Sequence, residues 1–145
     1  MTTQTQTEQA LNVCLRTLNN AQEGFQTAAT VASSKDLITI LTRLGESRGR
    51  MATEVRSMIT EIGGRPTSSA SLSGKAHQGW MKIRSTLAGN SDVALLDECI
   101  RGEQFAVEAL EGELQEDIPA HIKTSLHKIL VSIKEDLELI QSAKA

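Results

Sequence analysis

The sequence predicts an all-α protein: a four-helix bundle made of two antiparallel hairpins joined by a long crossover that carries a short helix of its own. Three observations lead there. Apolar residues recur at spacings of three and four through four long segments. Within each pair of these segments only a few residues intervene, whereas roughly twenty-seven residues, Gly63 to Gly89, separate one pair from the other. Aromatic residues make up 2% of the chain, and it lacks the β-branched alternation that a sheet would need.

In the first segment, about 5–32, Leu11, Cys14, Leu15, Leu18, Phe25, Ala28 and Ala29 mark one face of an amphipathic helix. Ser33 to Asp36 form a polar turn with capping side chains, and a second helix follows over about 35–62. Its stripe is Leu37, Leu41, Leu44, Arg48, Met51, Val55, Met58 and Ile62, a heptad-like run with one charged member. Gly63-Gly64 offers a left-handed C-cap, and Pro66 prevents resumption. Leu72, Ala76, Trp80, Ile83 and Leu87 predict a short crossover helix over about 73–88, anchored by Trp80. Asn90, Ser91 and Asp92 cap a helix over about 91–115, with Leu96, Ile100, Glu103, Val107, Leu110 and Leu114 as its stripe. The last helix, about 119–142, begins at Pro119 and carries Ile122, Leu126, Ile129, Ile133, Leu137 and Ile140.

Loop length sets the topology. Short connections make each pair antiparallel, while the long crossover can run the length of the bundle and set helices two and three parallel. That is the one-crossover arrangement of ferritin-like folds; the alternative is a plain up-down bundle with an elaborate loop. A single domain over residues 1–145 accounts for the whole chain and can bury roughly 70% of its unfolded surface.

Net charge is −3, with acids and bases interspersed along every segment, which argues against nucleic acid or an anionic membrane as partner. There is no tract apolar enough to span a bilayer and no secretory signal in MTTQTQTEQ, so the protein is read as cytoplasmic. Cys14 and Cys99 fall on apolar stripes and read as buried free thiols of a reducing compartment.

Charged residues inside the stripes are the candidate site. Arg48 and Glu103 each lie about 18 Å into their helices at 1.5 Å per residue, so in parallel helices they meet at one level. Glu23 reaches that level from helix one, and Glu54 sits on the flank of the second stripe. Arg48, Glu103 and Glu23 are therefore expected as a structural polar core. The other reading makes Glu23, Glu54 and Glu103 a degenerate carboxylate site for iron or manganese. A di-metal bundle wants Glu-x-x-His on two helices, and this chain has none. An arginine at the centre would also repel a cation. Gly24, Gly49 and Gly102 adjoin these charges, and close backbone approach around the cluster is one reason for glycines that each cost a helix roughly 1 kcal/mol. His77 and Trp80 read as a packed crossover anchor, or as a lid over a small-molecule site. No phosphate loop, zinc-spaced cysteine pair or Ser-His-Asp grouping is visible.

The order EGF (Glu23 to Phe25), Arg48 in mid-helix, GGRP (Gly63 to Pro66), HQGW (His77 to Trp80) and ECIRGE (Glu98 to Glu103) resembles a bacterial domain-of-unknown-function family of ferritin-like four-helix-bundle proteins, over about Leu11 to Leu137. The resemblance implies a ferritin-like bundle in a bacterial cytoplasm and a stress-linked role, with no established enzymatic activity. The family usually has an arginine where this chain has Gln78 and a tyrosine where it has Leu110. The expectation is a non-enzymatic binding or interaction protein with no cofactor. Self-association is the expected contact, through Ile38, Ile59 and Leu139 near the stripe edges; no other protein partner is named. The alternative is a metal-binding or di-iron oxidoreductase.

Overall fold

The computed structural model describes residues 3–67 and 91–144. Among them are four helices and no strand: α1 (Thr3–Val31), α2 (Lys35–Glu61), α3 (Asp92–Leu114) and α4 (Ala120–Lys144). The predicted crossover helix, with His77 and Trp80, lies outside the described residues.

Local chemistry fixes the helix ends. Ser34 caps α2, its side chain accepting from the Leu37 N–H at 3.3 Å, and Ser91 caps α3 in the same way through Ala94 at 3.2 Å. Gly63 ends α2 with φ of 78°, a conformation that costs glycine nothing. Its N–H reaches the Thr60 carbonyl and that of Gly64 the Ile59 carbonyl, a Schellman pair that satisfies two orphan acceptors. The chain leaving α2 is then tied to α1. Gln4 donates to the Ile62 carbonyl, Glu8 accepts from the Arg65 N–H, and Asn12 bonds the backbone of both Arg65 and Thr67. The end of α2 thus lies beside the start of α1, as an antiparallel pair requires.

The two hairpins are set by Asp92, whose carboxylate accepts from the Ser33 N–H at 2.8 Å and the Ser34 N–H at 2.9 Å. The starts of α2 and α3 therefore lie at the same end, and the two helices run parallel. α1 packs on α2 and α3, and α4 on α3 and, more sparingly, on α2, so α2 and α3 face each other across the bundle diagonal. This is the one-crossover arrangement that loop length predicts.

The core falls into two apolar clusters stacked along the axis. One gathers Leu11, Leu15 and Leu18 of α1 with Val55, Ile59, Leu110, Leu126 and Ile133. The other gathers Phe25 and Ala28 with Leu37, Leu41, Leu44, Leu96, Cys99 and Ile140. At Gly45, where α1 faces α2, an added Cβ would meet Gln26 Cγ at 3.4 Å, Phe25 Cβ at 3.6 Å and the Gln22 carbonyl at 3.7 Å, ordinary contacts that leave room for a small side chain. At Gly49, beside Arg48, an added Cβ would stand 2.6 Å from the Gln22 amide nitrogen, the far end of a flexible side chain. Of the residues expected at stripe edges, Leu139 is exposed and Ile38 half-buried, but Ile59 is wholly buried. The correction has a geometric cause: an α-helix drifts about 20° per heptad against a strict seven-residue stripe, so late in α2 the inward positions move from Met58 to Ile59.

Candidate functional site

Where the two apolar clusters meet, the core contains a guanidinium and two carboxyls. Arg48 projects from the middle of α2 and is wholly buried. Its Nη2 donates to Glu103 Oε2 of α3 at 2.5 Å, and its Nη1 donates to Asp136 Oδ2 of α4 at 2.9 Å. The Glu103 side chain is fully buried, whereas that of Asp136 keeps 26% of its surface. Arg48 also lies over the Phe25 ring of α1, 5.5 Å from its centre, so all four helices contribute to the layer. Ser47 Oγ at 3.3 Å and Met51 Sδ at 3.9 Å accept further from Nη1.

The charges do not balance. One cation faces two carboxyls, and Arg48 Nε and Glu103 Oε1 are buried with no hydrogen-bond partner among the described residues. Burial pushes the Glu103 carboxyl above its ordinary value; Arg48 pulls it back without cancelling the rise, and the Asp136 charge adds to it. Arg48 keeps its proton, since Glu103 and Asp136 together outweigh the cost of burying it. Cys99, one turn before Glu103, is pushed up to about 12 by burial, with the Glu103 and Glu98 charges adding.

Of the predicted polar core, the structure brings Arg48 and Glu103 together but leaves Glu23 on the exposed side of α1. Glu23 precedes the inward-facing Phe25 by two residues, a rotation of about 200°. Its expected place is filled by Asp136. Glu54 is likewise exposed, about 240° round α2 from Arg48. Glu23, Glu54 and Glu103 are therefore not gathered at one point. His121 and His127 lie exposed on the first turns of α4, and among the described residues no group of three or more His, Cys, Asp or Glu side chains is placed to hold a metal ion. A pair of resident metals does not fit these donors: two carboxyls are present, and both already bind a guanidinium.

The sequence matches the family described as "Domain of unknown function (DUF2383)" over residues 6–116. No curated protein matches it. Among solved structures, the fold is similar to the conserved hypothetical protein Rv2844 of Mycobacterium tuberculosis, with 11% identity and a TM-score of 0.76 over 96% of this chain and 97% of that one. It is also similar to a dodecameric thioferritin, the bacterioferritin-related protein of Bacteroides fragilis, with 16% identity and a TM-score of 0.75 over 98% of this chain and 85% of that one. At such identities the likeness is one of fold alone, and the fold is ferritin-like. The family match covers most of the chain, and the protein belongs to the DUF2383 family.

Proposed function

We propose that this chain is a non-enzymatic ferritin-like bundle, a binding or interaction protein of a bacterial cytoplasm with a stress-linked role, whose buried charges fix helix register. One observation supports the reading: the Arg48 guanidinium spans Glu103 and Asp136 in the bundle core, the region in which ferritin-like carboxylate proteins hold metal. A cation fixed to the backbone there opposes a second one, and polar groups in a bundle core are best attested as register devices. Binding then falls to the surface. Self-association is the first interaction to test, with Leu139 exposed on α4 and Ile38 half-buried on α2.

The second reading, a metal-binding or di-iron protein, draws support from the two core carboxyls and from the thioferritin among its structural relatives. One experiment separates the two. Protein purified without chelator is assayed for iron and manganese and for oxidation of ferrous iron by dioxygen, beside Glu103→Ala, with sedimentation at high concentration. The first reading expects no stoichiometric metal and no iron oxidation above the buffer rate. Stoichiometric metal in the wild type, lost in a folded Glu103→Ala, would overturn it.

A further inference from the structure

α4 departs from the interspersed charges of the chain at large. From Ala120 to Lys134 it carries three lysines, two histidines and no acid, and from Glu135 to Ala143 three acids and no base. This order is the reverse of the one a helix dipole favours, so α4 gains nothing from it as an isolated helix. Part of the charge is answered within the chain: Lys134 Nζ lies 3.0 Å from Glu111 Oε2 of α3, and Asp136 holds Arg48. Lys123, Lys128, Glu135 and Glu138 make no ion pair among the described residues. Lys123 is half-buried and the other three are exposed, and among them stands Val131, with 40% of its surface in water.

These four charges are placed symmetrically about Val131. Lys128 lies three residues before it and Glu135 four after, turned about 60° and about 40° to one side; Lys123 lies eight before and Glu138 seven after, turned about 80° and about 20° to the other. A two-fold axis crossing α4 at Val131 sets a second α4 antiparallel to the first, reversing height but keeping each flank on its own side. Each lysine then stands within one residue, about 1.5 Å along the axis, of a glutamate of the other copy. We propose that the outer face of α4 pairs with that of a second copy of this chain, antiparallel about Val131, with Lys128 facing Glu135 and Lys123 facing Glu138 of the second copy. A parallel pairing would set basic half on basic half, so the sorting of charge selects the antiparallel one. The inference rests on the reading above that self-association is this chain's interaction, and gives that contact its face. Leu139, 50% exposed, lies about 80° from Val131 on the Lys128 side, at the edge of the contact, whereas Ile38 lines a groove between α1 and α2 and lies off it. Exposed ion pairs are weak singly and screened by salt, so the dimer is one of moderate affinity that loosens as salt rises.

Sedimentation equilibrium of the full chain tests this, on wild type, Lys128→Glu, Glu135→Lys, the double variant Lys128→Glu/Glu135→Lys, and an equimolar mixture of the two single variants. Each single variant sets like charges against each other in its own dimer, while the double variant restores opposite charges with their places exchanged. In the mixture, a chain with two glutamates at these positions meets a chain with two lysines. The expected result is a wild-type dimer whose dissociation constant rises about tenfold or more in either single variant and returns towards the wild-type value in the double variant and in the mixture. A wild-type dimer or larger assembly that neither single variant weakens overturns this proposal alone and leaves self-association to another face. So does a weakening that neither the double variant nor the mixture restores. A wild type that stays monomeric at high concentration overturns both this proposal and the self-association it rests on.

Discussion

Glu103→Ala is the substitution that most directly weighs the polar layer. The carboxylate it deletes is fully buried and sits 2.5 Å from a guanidinium that is also fully buried. Breaking a buried ion pair by removing one partner costs about 3–5 kcal/mol, because the remaining charge stays out of water with less to compensate it. Here Arg48 keeps Asp136 at 2.9 Å, and that carboxylate is 26% exposed, so the loss belongs at the lower end, about 3 kcal/mol. For a chain of this length each kcal/mol lowers the melting temperature by roughly 2–4 °C, which gives a fall on the order of 10 °C. The assay is thermal and urea unfolding followed by far-UV circular dichroism, with coincident probes as the check on two-state behaviour. The companion is Arg48→Met with Glu103→Leu, which replaces both partners by apolar side chains. Such exchanges are often neutral or stabilising, so the double variant is expected to be more stable than Glu103→Ala. A Glu103→Ala protein within about 1 kcal/mol of wild type would refute the reasoning. So would a double variant that loses the sum of its two single losses, since the two charges would then not be compensating each other.

The same carboxyl gives a pH signature. Its folded-state pKa is raised above the ordinary 4.5, so the folded chain holds a proton that the unfolded chain has lost between the two values. Stability relative to Glu103→Gln is therefore greatest below the ordinary value and declines as pH rises through the raised one; a difference that grows with pH instead would mean that Arg48 outweighs burial. Asp92→Ala removes the acceptor of two backbone N–H groups that join the hairpins, and is expected to cost about 1–3 kcal/mol in urea unfolding; an unchanged midpoint would show that the α1–α2 turn is held by other contacts. Cys14 and Cys99 are both wholly buried and their thiols are pushed up by that burial, so an aromatic disulfide reagent should label neither in the native protein and both in denaturant. Rapid labelling of the native chain would reveal an opening motion that exposes the core.

Height along the bundle was legible in the sequence; azimuth was not. Arg48 and Glu103 meet because helix rise is constant and α2 and α3 start from one end, the arrangement that loop length favoured over an up-down bundle. Glu23 was expected at the same height but turns outward, because each residue carries about 100° of rotation and a register two positions from Phe25 reverses the face. Asp136 was the residue missed, although a signal was there. Ile129, Ile133, Asp136 and Ile140 are spaced four, three and four, so Asp136 interrupts the apolar stripe of α4 much as Arg48 does that of α2.

A bundle core that must hold two acids can neutralise them in different ways, and these have different consequences. A metal ion is held by several ligands at once and can leave, so its site couples folding to metal supply and to the protonation of its ligands. A guanidinium has a planar fork that two carboxylates can share, keeps its charge at any physiological pH, and is fixed to α2 by its own chain. Here that fork joins α3 and α4 to α2 and rests on a ring from α1. A one-turn slip of any helix would separate at least one of these partners and bury a charge without compensation, which the apolar clusters above and below, made largely of interchangeable Leu, Ile and Ala, would not by themselves penalise as sharply. On the proposed reading the layer specifies register and not chemistry, and a ferritin-like fold carries no ferritin-like activity on the strength of its shape.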